Sequence, residues 1–594
     1  MYKKKLFGGV AGDCSEEFSG RPLYQSYKVD VDGVMFAGEY PGDRDEEVAK
    51  RKIAQMHSFG IRHIVDLTEE GELCPYSHLL PSDMTHYRFP IKDVSVPKDT
   101  ESVRGLIKRI DELKTLGGYV YIHCWGGVGR TGTIVACYIS AHKRELDANQ
   151  VLAMLRGFFS MMPKSSRRKT PDSRSQVSYI KNFVQANVSC KEQCVDRVRD
   201  AIRGSLMAGA AGDALGYAVE FNSRSSILAR YGERGITQFA LNAEGKALIS
   251  DDTQMTLFTA NGLLMGITRG CMRGIGAPPE FYVQHAYMDW YYTQGGVGSD
   301  YSRRCTWLCS LPEMAHRRAP GVTCLSACDR LINGDEASND SKGCGGIMRV
   351  SPLALLSASV AAKYGRGIYD GDEMFKAGCY IARVTHLHPL GFLPAGMMTE
   401  LLYKLVLRST ECAKADFVSL VEDALKTLDR VYPNEYVEDK RYLANITRRA
   451  ITLAQSDVAD ADAIRKLGEG WVAEETWAIA LYCAMRHLDS IEDAIIASVN
   501  HDGDSDSTGS VCGNIMGAIY GYEHIKERNI FCPEGCKLED TLELSEVTLA
   551  MADDLYTGCI IGEYCRIDTP EKRQWEERYC NMIPSGISTS GINN

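Results

Sequence analysis

Cys124 and Arg130 enclose the stretch Trp125-Gly126-Gly127-Val128-Gly129, and Thr131 follows the arginine. A cysteine and an arginine at this spacing carry little weight alone, since Cys324 and Arg330 repeat it with no glycine between them. The first pair differs in context: a strand-like run at 119–122 precedes it, three glycines interrupt it and a helical pattern follows. Glycines let successive backbone N–H groups turn inward as an anion nest, and a helix N-terminus adds positive potential. The same field favours the thiolate of Cys124, the nucleophilic form. Arg130 can then grip two phosphoryl oxygens.

A second chemistry lies downstream. Ser250-Asp251-Asp252-Thr253 is matched much later by Gly503-Asp504-Ser505-Asp506-Ser507-Thr508. One such triplet reads as a helix cap. Two, each at a helix start and separated by a long helical span, predict clustered carboxylates and hydroxyls. Hard divalent cations take oxygen ligands, and a two-metal site needs several carboxylates. Neither cluster has cysteine or histidine at ligand spacing, which argues against zinc.

The elements that must position these residues differ between the halves. From Tyr24 to about residue 187 strands and helices alternate: a helix end and strand at 60–67, a helix at 103–116, a strand at 118–123, a helix at 131–143, and a last helix opened by Thr170-Pro171 that runs to about 186. That pattern predicts an α/β domain over 24–187, a largely parallel sheet flanked by helices, after an extension at 1–23. A linker is expected at 188–194. From Val195 to about 575 long Ala-, Gly- and Leu-rich amphipathic stretches predict an all-α domain, and the Ser/Gly/Asn-rich tail at 576–594 reads as disordered. Gly204, Ala208 and Gly212, and then Gly509, Gly513, Gly517 and Gly521, recur every four residues, which predicts helices whose backbones approach closely.

At 594 residues the chain is too long for one ordinary core. Residues 1–190 carry a net charge of +4 and the remainder −15, so the first half suits an anionic substrate and the second argues against a nucleic-acid surface. The 21 cysteines include four pairs at helical spacing and no zinc-type pair, consistent with reduced thiols and a cytoplasmic protein. No uninterrupted apolar run long enough to span a bilayer is evident, and neither membrane insertion nor secretion is expected.

The loop 123–131 resembles that of the cysteine-dependent protein phosphatases, closest to the dual-specificity branch, over about 24–187. The resemblance implies that Cys124 becomes a phosphocysteine, that Arg130 binds the phosphoryl group with His123, Gly126, Gly127 and Gly129 around it, and that Thr131 assists departure from the cysteine. Asp93, 31 residues before Cys124, stands where that branch places its mobile general acid, with Asp99 as the alternative.

Five ordered motifs likewise resemble the ADP-ribosylglycohydrolases over 195–575: Gly212-Asp213-Ala214-Leu215-Gly216 with Glu220, Ser250-Asp251-Asp252-Thr253, Ser341-Lys342-Gly343-Cys344-Gly345-Gly346-Ile347-Met348-Arg349, Thr385-His386-Leu387-His388-Pro389, and the 500–509 stretch. The resemblance implies an all-α fold with two magnesium or manganese ions held by Ser250, Asp251, Asp252, Asp504, Asp506 and Ser507, and none in the phosphatase domain. It implies hydrolysis of the bond joining ADP-ribose to a protein side chain, with Asp252 and Glu220 catalytic; Glu220 is read as gate or acid/base, or else as a helix anchor. Gly343, Gly345, Gly346 and Lys342 would meet the diphosphate. His386 is read as ligand contact or core, and Lys342, Arg349 and Trp471 as contacts or packing. The motifs look more like the arginine-linked than the serine-linked branch. The expected whole is a bifunctional hydrolase of phosphorylated and ADP-ribosylated proteins. Its alternatives are action on small molecules such as ADP-ribose phosphates, or a non-catalytic binding role for one half.

Overall fold

The computed structural model describes residues 20–143, 146–274, 276–296, 304–408, 412–561 and 568–580, with backbone alone at 187–196. The chain divides between Gln193 and Cys194 into two compact units. In the first, strands β1 (Ser26–Asp30), β2 (Val34–Gly38), β3 (Ile61–Asp66), β4 (Thr85–Arg88) and β5 (Tyr119–His123) form one sheet in the order β1-β2-β5-β3-β4. Only β1 and β2 pair antiparallel. Helix α1 (Glu46–Phe59) covers one face with Ile53 and Met56. Helices α2 (Thr100–Thr115), α3 (Gly129–His142) and α4 (Ala148–Phe159) cover the other. Central strand β5 sends Val120 and Ile122 to one face and Tyr121 to the opposite one. Burial on both sides explains why its sequence is a continuous apolar run. The strand ends at His123, so Cys124 emerges at the carboxyl edge of the parallel strands, where open α/β sheets place their ligands.

Helix α5 (Arg174–Tyr217) corrects two expectations. It begins three residues after Pro171, and it continues past residue 186, so the 188–194 segment read as a linker is helical. No glycine or proline stands there to stop a helix.

The second unit is helical, with only isolated bridges among its described residues. Its apolar side chains form one continuous core. Two stretches, Cys344–Tyr364 and Pro389–Leu407, are long and on average apolar enough to cross a membrane, although charged residues such as Arg349 and Glu400 interrupt them. Each is 83% buried within the unit, so both are core helices. The glycine rows do bring backbones together. A Cβ on Gly212 would lie 2.1 Å from the carbonyl oxygen of Gly509, and one on Gly513 2.1 Å from that of Ala208. Because the obstacle is backbone, a side chain there cannot be accommodated by a rotamer change. We expect Gly513→Val to lower stability by at least about 3 kcal/mol, read from chemical denaturation as a shifted midpoint.

The helix Pro570–Tyr579 closes the unit: Trp575 donates to Thr268 (2.9 Å) and the Tyr579 hydroxyl to Asp554 (2.6 Å). The 576–594 tail is therefore ordered as far as Tyr579, and its part from 581 lies outside the described residues, as do residues 1–19 of the N-terminal extension. Leu23, also assigned to that extension, is buried in the first unit's core.

Candidate active sites

In the first unit, β5 leads through residues 124–128 into α3. The amides of 125–128 donate no hydrogen bond among the described residues, which leaves them for an anion. Gly127 has φ +70°, and a Cβ there would stand 2.4 Å from the Gly38 carbonyl carbon, so both conformation and space demand glycine. The loop is braced from outside: Lys164 donates to the Gly126 carbonyl (3.0 Å) and Thr170 to that of Val128 (2.7 Å). The basic 164–174 stretch thus contributes a structural lysine. Cys124 is buried and Trp125 exposed.

Arg130 is 2% exposed, and its guanidinium meets Glu72 through two contacts, 2.7 and 2.6 Å, as well as the Ile91 carbonyl at 2.8 Å. Asp93, 58% exposed on its side chain, reaches the same guanidinium at 3.0 Å. Asp99, the alternative acid, is instead the N-cap of α2, accepting from the Ser102 amide at 2.7 Å, and that bond holds its carboxyl below the usual range. Thr131 Oγ1 is buried without a hydrogen-bond partner among the described residues.

His123 departs from expectation. It is fully buried, paired with the Tyr76 hydroxyl at 2.6 Å and its neighbour's carbonyl at 3.2 Å, so it supports the loop from beneath and does not line the opening. Burial pushes its pKa down to about 4 despite nearby Asp66. Asp66 is itself buried, yet hydrogen bonds from His86 and Thr68 outweigh that burial and hold it ionised.

Two participants escaped the sequence reading. Glu72 orients Arg130. Gln176, at the start of α5, is buried, donates to the Ser95 carbonyl (3.0 Å) in the segment bearing Asp93, and packs where a Gly129 Cβ would be. Neither sits in a motif, since both act across long sequence separations. We expect Glu72→Gln to preserve the fold but cost on the order of 100-fold in kcat/KM for a phosphoester, because the guanidinium loses its fixed plane. Parallel steady-state assays of wild type and variant check it.

In the second unit two helix N-termini meet. Helix α6 (Arg224–Tyr231) precedes α7 (Asp251–Arg273); Ser250 caps α7, and Asp504 caps the helix Ser505–Tyr520. Ser507 Oγ lies 3.3 Å from Asp252 Oδ1, so the distant clusters form one site. Asp213, which the sequence reading quoted in a motif without assigning it a role, accepts from the amides of Ser250 (3.0 Å) and Thr253 (3.1 Å) and from the Thr253 hydroxyl. Asp251 accepts from the Gly321 amide at 3.3 Å. Cys344 turns its thiol to Asp504 at 2.9 Å.

Burial first, and then mutual repulsion with Asp506 foremost, raises the carboxyls of Asp251, Asp252 and Asp504. The same causes push Asp213 up to about 7 and Glu220 up to about 10. Asp252 Oδ2 and Glu220 Oε2 are buried without a hydrogen-bond partner among the described residues. Buried carboxylates with orphaned oxygens and no cationic side chain among them fit a hard divalent cation. A separate group, Asp32, Asp111 and His142, also has ligand atoms close together, but there the Lys114 ammonium donates to the Asp32 backbone carbonyl and to the Tyr138 hydroxyl that binds Asp111.

The glycine turn Cys344–Gly346 lies beside His386: a Cβ on Gly343 or Gly345 would stand 3.2 or 3.4 Å from its Nε2. Arg349 is fully buried and has no carboxylate partner among the described residues; it donates to Thr385 Oγ1 (2.5 Å) and stacks on Tyr287. The Thr385 hydroxyl also meets His386 Nδ1 at 2.8 Å, which fixes the ring with Nε2 toward the turn. Burial lowers the His386 pKa to about 3, so the ring is neutral. Of the two readings of Lys342, the structure shows a packing contact: its ammonium is held by the buried Glu474 at 2.8 Å, fastening the turn to the helix Ala473–Arg486.

Residues 195–560 match the ADP-ribosylglycohydrolase family, and residues 43–188 match the family described as Swiss Army Knife protein, DSP-PTPase phosphatase domain. The chain is 26% identical over 223 residues to the ADP-ribosylhydrolase ARH3 of Bos taurus, covering 34% of this chain and 57% of that protein. It is 27% identical over 141 residues to the putative tyrosine phosphatase 067L of Invertebrate iridescent virus 3, covering 22% and 57%. Thus it spans little more than half the length of these relatives. A solved ADP-ribosylglycohydrolase-related protein complex aligns at 21% identity over 61% of this chain and 99% of that one, with a TM-score of 0.38. The chain belongs to the ADP-ribosylglycohydrolase family, a metal-dependent one, and carries a cysteine-phosphatase domain of the dual-specificity type at its N-terminus.

Proposed function

We propose that the chain is a bifunctional hydrolase that removes ADP-ribose from protein side chains, arginine-linked above all, and phosphate from phosphoproteins. The observation that carries the first activity is the buried carboxylate cluster with its orphaned Asp252 and Glu220 oxygens. Ser250, Asp251, Asp252, Asp504, Asp506 and Ser507 would hold two magnesium or manganese ions, which when bound orient ribose hydroxyls and polarise water. Glu220 handles the proton as the C–N bond at the anomeric carbon breaks and water's oxygen takes that place. The amides of Gly345 and Gly346, with His386 Nε2 beside them, receive the diphosphate. The arginine linkage rests on the motif resemblance and on an acidic surround suited to a guanidine leaving group.

For the phosphatase, the Cys124 thiolate attacks phosphorus, the P–O bond to the leaving group breaks, and Asp93 gives the departing oxygen its proton. Water then hydrolyses the phosphocysteine while Thr131 stabilises the leaving thiolate. The Asp93 carboxylate now against Arg130 occupies the place a phosphoryl oxygen would take. The proposed compartment is the cytosol, in keeping with 17 free thiols among the described residues.

The test is release of free ADP-ribose from arginine-linked and serine-linked ADP-ribosylated proteins, with magnesium and with excess chelator. Metal-dependent release from the arginine-linked protein is expected. Release that persists in chelator would sink the metal assignment, and release from the serine-linked protein alone would sink the linkage.

A further inference from the structure

Phe221 follows Glu220 directly, and its ring is 74% exposed; Trp471, next to the turn at 343–346, is 40% exposed. Leaving two large aromatics in water at the rim of a polar site costs hydrophobic burial that either ring could have found. They face each other: the planes are 23° from parallel and the centroids 6.1 Å apart. That separation and tilt are those of an offset-stacked pair, so the two rings together present one extended aromatic surface to solvent.

The backbone fixes where that surface lies. The Glu469 carbonyl accepts from the Asp504 amide at 2.8 Å, and the Trp471 carbonyl from the Cys344 amide at 3.3 Å, so the Trp471 loop is tied to both the carboxylate cluster and the glycine turn. Phe221 is anchored by its neighbour Glu220, which faces Asp506 and Asp504. The ring pair therefore stands over the reacting end of the site. Behind Trp471 lies a cavity of about 450 Å³ whose lining carries Glu469, Glu475 and Asp502 against Arg224 and Arg465. Arg465 is already paired with Asp462, while Glu469 and Asp502 are exposed and form no ion pair among the described residues. The surround favours a cation.

We propose that Phe221 and Trp471 form the acceptor clamp: a planar, cationic guanidinium, that of the arginine bearing the ADP-ribose, stacks on the aromatic surface that the two rings expose, with Glu469 and Asp502 attracting the basic substrate segment. This rests on the proposed arginine linkage and names the residues that read it. Guanidinium over an aromatic face combines stacking with cation–π attraction, which an ammonium or a hydroxyl leaving group does not match.

The experiment compares the full-length wild type, Phe221→Ala, Trp471→Ala and Trp471→Phe. It measures KM and kcat on an arginine-linked ADP-ribosylated peptide and, by calorimetry, the Kd of free ADP-ribose. Each alanine variant should raise KM for the peptide about tenfold, Trp471→Phe should restore most of the loss, and ADP-ribose binding should change less than twofold. Phe221 is so exposed that its removal does not threaten folding. Parallel weakening of ADP-ribose would overturn the clamp by assigning the rings to the adenine, and an unchanged peptide KM would overturn it outright with the linkage intact. Failure of the wild type on arginine-linked peptide would instead remove the linkage reading itself and the guanidinium with it.

Discussion

Asp252→Asn should abolish release of ADP-ribose while making the metal-free protein harder to unfold. The two halves of this expectation have one cause. Asp252 is buried among Asp506, Asp213, Asp251 and Asp504, and its folded-state carboxyl is raised well above its ordinary value of 3.8. A carboxyl raised on folding favours the native state only while it stays protonated. As pH rises past the unfolded value and through the folded one, that contribution is lost, so at neutral pH the cluster destabilises the fold until a cation neutralises it. Asparagine keeps the shape and removes one charge. Without divalent cation, Tm should therefore rise, by about 2–4 °C for each kcal/mol of repulsion relieved. Wild type should gain on adding magnesium, about 2.7 kcal/mol at a hundredfold excess over Kd, and the variant should gain little. Loss of a ligand to the reacting centre should lower turnover on the order of 10³-fold. Differential scanning fluorimetry with and without magnesium, beside the release assay, reads both. A variant that responds to magnesium like wild type would remove Asp252 from the ligand set.

How much of this was legible beforehand follows from where the interactions run. The Cys124 loop could be read because strand, glycines and helix are consecutive, so local conformation alone makes the anion nest. The joining of Ser250, Asp251 and Asp252 with Asp504, Asp506 and Ser507 could be inferred because each cluster opens a helix, and the glycine rows that hold those helices together are periodic. What escaped was the support. Glu72 and Gln176 have no distinguishing neighbours, Asp213 stands in a motif that does not tell its role, and the partners of all three lie far along the chain. His123 was misjudged, and Lys342 left between two readings, for the complementary reason: proximity in sequence to a ligand loop says nothing of where a side chain turns, and buried Tyr76 and Glu474 claimed them. That residues 188–194 continue a helix was not read, because a stretch without glycine or proline gives no local sign of where a helix stops.

Cys124→Ser should eliminate phosphatase turnover, by on the order of 10⁴-fold or more, and leave ADP-ribose release untouched. Serine keeps the side chain's size, but its hydroxyl is a far weaker nucleophile, and neither the 125–128 amides nor Arg130 can ionise it at neutral pH. The sharper comparison concerns the acid. Asp93 touches Arg130, whereas Asp99 is spent capping α2. Asp93→Asn should cost on the order of 10²- to 10⁴-fold with an alkyl or tyrosyl phosphate, whose leaving oxygen needs a proton. With an activated aryl phosphate, which leaves as a stable phenolate, the loss should nearly vanish. Asp99→Asn should do neither, and Asp99→Ala should show only a capping loss of about 1 kcal/mol in stability. The dependence on leaving group separates a proton donor from a residue that merely orients Arg130: an orienting residue would slow both substrates alike. If Asp93→Asn slows both equally, the acid lies elsewhere and the Asp93–Arg130 contact is structural.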